Sequence, residues 1–150
     1  MKLPSFALLV PLALSLAPLA VQEKGPQEKK REHDTELGRQ MEKLEDQIRP
    51  LRKNLREGGS QADALAALVE IQRITLSCKE LAPEAAAKLP DAERAAFVKA
   101  YRHTMVDFLT RQLELEAAIL DGDAAAITAA FERFRAMEDS SHERFAPEEG

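Results

Sequence analysis

Hydrophobic residues recur at alternating intervals of three and four along four stretches of this chain, and polar residues fill most positions between them. This spacing gathers hydrophobic side chains on one side of an α-helix, which can bury that side and leave the other in water. Four amphipathic helices are therefore predicted. Their inward positions are, in chain order, Leu37, Met41, Leu44, Ile48, Leu51 and Leu55; Leu65, Leu68, Ile71 or Gln72, Thr75, Cys78 and Leu81; Phe97, Tyr101, Met105, Phe108, Gln112, Leu115 and Ile119; Ile127, Phe131, Phe134, Glu138, Ser141 and Phe145.

Capping and helix-breaking residues mark the ends of the first two helices. Thr35 is a suitable cap for the first helix, and Gly58-Gly59-Ser60 ends it. Pro50 lies inside this helix, so we expect it to kink the helix or weaken one turn. The second helix is predicted from Gln61 to Leu81, and the loop between Pro83 and Pro90 has room for a short turn.

The third and fourth helices are separated by a compact turn. Asp91 follows a proline and is predicted to cap the third helix. Asp121-Gly122-Asp123 combines a glycine that ends a helix with an aspartate that caps the next one. The fourth helix is predicted from Ala124 to about Phe145, before Pro147. Because the first and third connections are short, the predicted fold is an all-α, antiparallel up-down-up-down four-helix bundle over residues 35–147.

The N-terminal part of the chain lacks the bundle pattern. Lys2 precedes an uncharged apolar run from Phe6 to Leu19, and Ala20 is a small residue at which cleavage could follow, so residues 1–20 are predicted to be a signal peptide. Residues 21–34 are polar and charged, and we expect a flexible leader there. The mature protein is accordingly expected in the periplasm, or otherwise exported, after cleavage near Ala20.

Composition excludes some functions. The formal charge of −5 offers no basic face for nucleic acid. We expect no membrane insertion of the mature chain, which we expect to be a monomer.

The carboxylates are expected on exposed faces or at caps, with no Ser, His and Asp cluster, so no enzymatic activity is predicted. Cys78 is the only cysteine and C-x-x-C-H is absent, which leaves a small core residue and rules out covalent haem attachment by that motif.

Met41 and His142 are the residues with the most distinctive chemistry. In an antiparallel bundle the start of the first helix and the end of the fourth lie at the same end. At about 100° per residue His142 is about 20° from Phe131, and Met41 is about 60° from Leu44, so both border the core. A thioether and an imidazole are a standard axial pair for haem iron. Taken singly, a methionine in a stripe more often fills a core, and a histidine near a helix C-terminus often serves the helix dipole.

Three short motifs resemble the cytochrome b562 family. They are Met41-Glu42-Lys43-Leu44 near the start of the first helix, Tyr101-Arg102-His103 in the third, and Ser141-His142-Glu143-Arg144-Phe145 at the end of the fourth. Their order and spacing match over about residues 37 to 145. The resemblance implies a periplasmic b-type cytochrome with one non-covalently bound haem b, which transfers electrons to a redox partner that the sequence does not identify.

Carried onto this sequence, the resemblance assigns the iron ligands and the residues around the haem. Met41 and His142 are the implied axial ligands, and the residues implied to line the haem are Leu44, Pro83, Tyr101 and Met105. Two positions depart from the family pattern. Glu138 stands where relatives have a basic residue near the haem edge, and Met105 replaces a phenylalanine. Glu138 removes a partner for a haem propionate and would repel it.

Two other functions compete with an electron carrier. One is a haem-free exported helical bundle that acts as an adaptor or binding protein. The other is a divalent-metal site that joins His142 to Glu138 or Glu143, since residues four apart on a helix can share a metal. His103 is about 200° from Tyr101 around the third helix, and we expect it to be a solvated surface residue.

Overall fold

The computed structural model describes residues 35–145, and four α-helices account for most of them. We name them α1 (Glu36–Glu57), α2 (Gln61–Lys79), α3 (Asp91–Asp121) and α4 (Ala124–Phe145). A short 3₁₀-helix, Glu84–Lys88, lies between α2 and α3, inside the predicted loop. The prediction of an all-α four-helix bundle is confirmed. The predicted signal peptide and leader lie outside the described residues.

Most of the predicted helix ends carry the expected caps. The Thr35 hydroxyl accepts a hydrogen bond from the Gly38 amide at 3.0 Å, and the Asp123 carboxylate accepts one from the Ala125 amide at 2.9 Å. Gly58 and Gly122 end α1 and α3 with φ of 67° and 70°, a left-handed conformation that favours glycine. These turns reverse the chain sharply, as the antiparallel prediction requires.

Two local details differ from the sequence predictions. Asp91 is the first residue of α3 rather than its cap; Pro90 occupies the cap position, and the Asp91 carboxylate pairs with Arg94 at 2.8 Å. The α-helical part of α2 ends at Lys79 instead of Leu81, because the Leu81 amide bonds to the Cys78 carbonyl in a tighter final turn. Helix α1 continues through Pro50 to Glu57, as its predicted stripe on both sides of the proline requires.

Contacts between distant residues establish the antiparallel order of α2, α3 and α4. The Gln61 side chain at the start of α2 donates to the carbonyl of Ile119 near the end of α3. At the opposite end, the Tyr101 hydroxyl donates to the Cys78 carbonyl at 3.0 Å, and the Phe145 ring meets the Tyr101 ring edge-on at 5.5 Å. The last turn of α2, the early part of α3 and the last turn of α4 therefore meet at one end of the bundle.

The core contains the inward stripes and one pair of polar side chains. Leu51, Leu68, Ile71, Leu115 and Phe134 are completely buried. Thr75 and Gln112 lie among them, and the Gln112 amide nitrogen donates to the Thr75 hydroxyl at 2.8 Å. The Gln112 amide oxygen has no hydrogen-bond partner. Among residues 35–145, no helix is long and apolar enough to cross a membrane.

The buried polar pair yields a stability prediction. Replacing Thr75 by Val should lower the free energy of unfolding by about 1–3 kcal/mol, because the Gln112 amide then loses its partner while it stays buried. The double variant Thr75→Val with Gln112→Leu should recover that loss, since both polar groups are removed together. Urea unfolding followed by circular dichroism measures both values. A double variant as unstable as the sum of the two single variants would contradict this account.

Candidate functional site

The structure places Met41 and His142 toward the same end of the bundle. Met41 is partly buried and packs against the core from α1. His142 is exposed and lies one turn before the end of α4. It precedes Phe145, whose ring packs edge-on against Phe97 and Tyr101 of α3. The imidazole therefore lies on the surface of α4 rather than within the core.

An ion pair between Arg52 and Glu138 connects α1, which carries Met41, to α4, which carries His142. The Arg52 guanidinium of α1 is 3.6 Å from the Glu138 carboxylate of α4. Along the helix axes, Met41 lies about 16 Å from Arg52, and His142 about 6 Å from Glu138, both on the same side of the ion pair. The pair thus puts both predicted ligands toward one end, at heights that differ by about 10 Å along the helix axes.

The residues predicted to line a haem form the core at that end. Leu44, Tyr101 and Met105 are 5%, 2% and 4% exposed, and Pro83 is also buried. Tyr101 is fixed by its bond to the Cys78 carbonyl, and burial raises the pKa of its hydroxyl. Cys78 itself is completely buried, and burial raises the pKa of its thiol to about 11. The Cys78 thiol is therefore protonated at neutral pH and suits the core role predicted for it.

Glu138 is mostly buried, which agrees with its predicted place in the inward stripe of the fourth helix and departs from the general expectation that carboxylates lie on exposed faces or at caps. Its side chain is 13% exposed, and its Oε2 atom makes no hydrogen bond. Burial raises the pKa of this carboxyl group, whereas the positive charge of Arg52 and, more weakly, that of His142 oppose the rise. The reason for the burial is its position on the inward side of α4, where it faces α1.

Arg52 is a residue of this region that the sequence analysis did not single out. It is only partly exposed and stands four residues after Ile48, at the margin of the inward stripe of α1. Its place at that margin allows a contact with another helix, but the choice of Glu138 as partner depends on the relative height of α1 and α4, which the sequence pattern does not give. Arg52 supplies a positive charge beside Glu138, so the repulsion expected between Glu138 and an anionic group is reduced.

The space between α1 and α4 differs from the other spaces between neighbouring helices. The backbones of α1 and α2, of α2 and α3, and of α3 and α4 approach closely at many positions, whereas those of α1 and α4 do so at far fewer. Met41 and His142 project from the two helices that border this wider space. A thioether and an imidazole are a donor set that suits haem iron.

The metal-site alternative gains no support from the described residues. Between residues 35 and 145, no group of three or more His, Cys, Asp and Glu side chains is placed to hold a metal ion. Glu138 is paired with Arg52, and that guanidinium competes with any cation for the carboxylate. His103, the remaining described histidine, is exposed on α3, as its angular position predicts.

The burial of Glu138 predicts a specific pH dependence of stability. Because the folded-state pKa lies above the ordinary value of 4.5, the folded protein holds this proton more tightly than the unfolded chain. The contribution of Glu138 to stability is therefore lost progressively as pH rises from about 4.5 toward neutrality. Glutamine does not titrate, so the variant Glu138→Gln does not lose this stability. The unfolding free energy of the variant, relative to that of the unmodified protein, should therefore rise as the pH increases from about 4.5 toward neutrality.

Urea unfolding at a series of pH values tests this prediction. Glu143→Gln is the matched control, because Glu143 is an exposed glutamate on the same helix and its substitution should change stability little at any pH. The quantity to follow is the unfolding free energy of Glu138→Gln minus that of the unmodified protein. If this quantity falls as the pH rises toward neutrality, the burial of Glu138 is contradicted.

Comparison with known proteins adds no further assignment. No protein-family model, curated protein or solved structure matches this chain. Its function must therefore be argued from the placement and chemistry of its own residues.

Proposed function

We propose that this protein binds one b-type haem non-covalently between α1 and α4 and carries electrons outside the cytoplasm. Met41 and His142 are the proposed axial ligands. The observation that carries the proposal is the position of a thioether and an imidazole toward one end of α1 and α4, two helices whose backbones approach closely at few positions. The short motifs around these residues, which resemble those of cytochrome b562, support the same assignment.

The side chains around the proposed site would control the properties of the iron. A bound haem supplies a one-electron Fe(III)/Fe(II) couple. The thioether of Met41 is a soft ligand that favours Fe(II) and raises the reduction potential, and the His142 imidazole provides the stronger nitrogen donor. Leu44, Tyr101 and Met105 exclude water from the inner side, and a low local dielectric further favours the state of lower charge.

The negative charge of Glu138 near the proposed site is balanced by the positive charge of Arg52, which the sequence analysis did not consider. Glu138 would repel a haem propionate if it stood alone. Arg52 lies 3.6 Å from it, so the two side chains together carry no net charge when both are ionised. The formal charge of −5 for the whole chain favours a redox partner with a basic docking surface.

A haem-free bundle that acts as an adaptor or binding protein is the second candidate. The observation in its favour is that Leu44, Tyr101 and Met105 are already almost fully buried by protein atoms. The core at this end therefore needs no cofactor to shield it from water. Signal-peptide cleavage and export remain part of both proposals.

Hemin titration of the purified protein distinguishes the two candidates. Haem ligation predicts a shifted Soret band and a low-spin, six-coordinate spectrum after reduction. Met41→Ala and His142→Ala should each abolish the six-coordinate spectrum, because each removes one axial ligand. Circular dichroism of the same variants establishes that their helices remain intact.

Two matched controls make the result specific to these positions. Met137 is another partly buried methionine that packs against the core, and His103 is another exposed histidine. Met137→Ala and His103→Ala should keep the low-spin spectrum. If the unmodified protein produces no Soret shift, the haem proposal is wrong and the haem-free bundle is favoured. Equal losses in all four variants would also contradict the assigned ligands.

A further inference from the structure

A row of large apolar side chains lies on the outside of α2 and α3. Each of five such residues keeps about half of its surface exposed: Val69, Leu76, Val106, Leu113 and Leu120. Within each helix they are seven residues apart, so they line up along the helix axis. We call these five residues the outer stripe.

The two halves of the outer stripe flank the same seam between helices. Gln72 of α2 donates a hydrogen bond to Glu116 of α3 at 2.6 Å, which marks where the two helices face each other. Val69 is about 60° from Gln72 around α2, and Leu113 is about 60° from Glu116 around α3, in each case away from the core. The outer stripe therefore forms one apolar surface across both helices.

Helix α3 has the sequence pattern of a helix that packs on two sides. Its outward positions Val98, Arg102, Val106, Leu109 and Leu113 follow one another at spacings of four, four, three and four. This is the a/d spacing by which one helix packs into the grooves of another. The inward stripe of α3 has the same spacing, and it is already satisfied by the other helices of the bundle.

We propose that the outer stripe is the interface of a homodimer, in which α2 and α3 of one copy pack against α2 and α3 of a second copy. The two copies are related by a two-fold axis that passes near Leu113, so the two α3 helices run antiparallel. A two-fold interface uses the same surface on both copies, and a stripe centred on one residue satisfies that requirement.

Charges at the two ends of α3 favour a second copy in this orientation. Lys99, Arg102 and His103 are exposed around the N-terminal end of the outer stripe, and Asp121 and Asp123 are exposed at its C-terminal end. The antiparallel arrangement brings the basic end of each α3 toward the acidic end of the other. Such complementary charges beside an apolar seam determine which partner and which orientation are preferred.

The size of this surface is that of a weak dimer. With the two-fold axis near Leu113, the two α3 helices overlap from Met105 to Asp121, which is a length of about 24 Å. Two adjacent helices present a face about 20 Å wide, which corresponds to about 500 Å² per copy, or about 1,000 Å² in total. Interfaces below about 1,200 Å² in total are typical of weak, transient association. We therefore expect a dimer that dissociates on dilution.

This dimer does not depend on the proposed haem site. The α2–α3 face lies on the opposite side of the bundle from α1 and α4, so Met41 and His142 stay accessible in both copies. The expectation of a monomer considered only the inward stripes of the helices. The exposure of the outer stripe is a property that appears once the helices are packed.

Light scattering and sedimentation of the purified protein over a wide range of concentrations test the proposal. We expect twice the monomer mass at high concentration and dissociation on dilution. Leu113→Glu should give a monomer at every concentration, because two carboxylates would meet near the two-fold axis. Ala129→Glu is the matched control, since it adds the same charge at an exposed position of α4, and it should remain dimeric. Circular dichroism establishes that both variants are folded.

Disulfide formation tests the orientation of the two copies. When Val106→Cys and Leu120→Cys proteins are mixed and oxidised, the antiparallel arrangement predicts cross-links between the two different variants. The buried thiol of Cys78 does not compete for these bonds. A monomer at all concentrations, or a dimer that Leu113→Glu leaves intact, would overturn the proposal. Cross-links only between identical variants would overturn the antiparallel arrangement.

Discussion

The structure depends on one constraint: each of four helices must bury its apolar stripe against the other three. Once the stripes face inward and the short turns reverse the chain, the height of every side chain along the bundle is largely determined. The end of α2, the early part of α3 and the end of α4 then meet at the cluster of Tyr101, Phe97 and Phe145. Met41 and His142 lie toward that end because of this packing, and they need no attraction between them to be there.

Polar residues inside such a bundle cost stability unless they find partners, and two pairs among residues 35–145 illustrate this cost. Thr75 and Gln112 satisfy each other only partly, and Arg52 and Glu138 form an ion pair without a full hydrogen bond. The first pair joins α2 to α3, and the second joins α1 to α4, the two helices farthest apart in the sequence. The free-energy cost of burying each pair is lowest when its two side chains are well aligned. Each pair therefore favours the one relative height and rotation of its two helices that gives this alignment. We regard the Arg52–Glu138 pair as the main polar contact between α1 and α4.

The helices, their inward stripes and most of their caps were predictable from the sequence because these features depend on residues within one or two turns. The positions of Asp91 and Leu81 at helix ends were wrong by one or two residues, since local hydrogen bonds decide such ends. The pairing of Arg52 with Glu138 escaped prediction because it depends on the rotation and relative height of two helices. Periodicity within a single helix contains no information about either quantity.

The proposed ligation of a haem iron by Met41 and His142 can be tested by NMR of the hemin-loaded, reduced protein labelled at its methionine methyl groups. A methyl group on a thioether that ligates haem iron would lie over the porphyrin ring, whose ring current moves its resonance far upfield. We expect one such resonance, assigned to Met41 by its loss in Met41→Ala, while the Met105 and Met137 resonances remain. A spectrum with no far-upfield methyl signal, or with one assigned to another methionine, would rule out Met41 as the ligand.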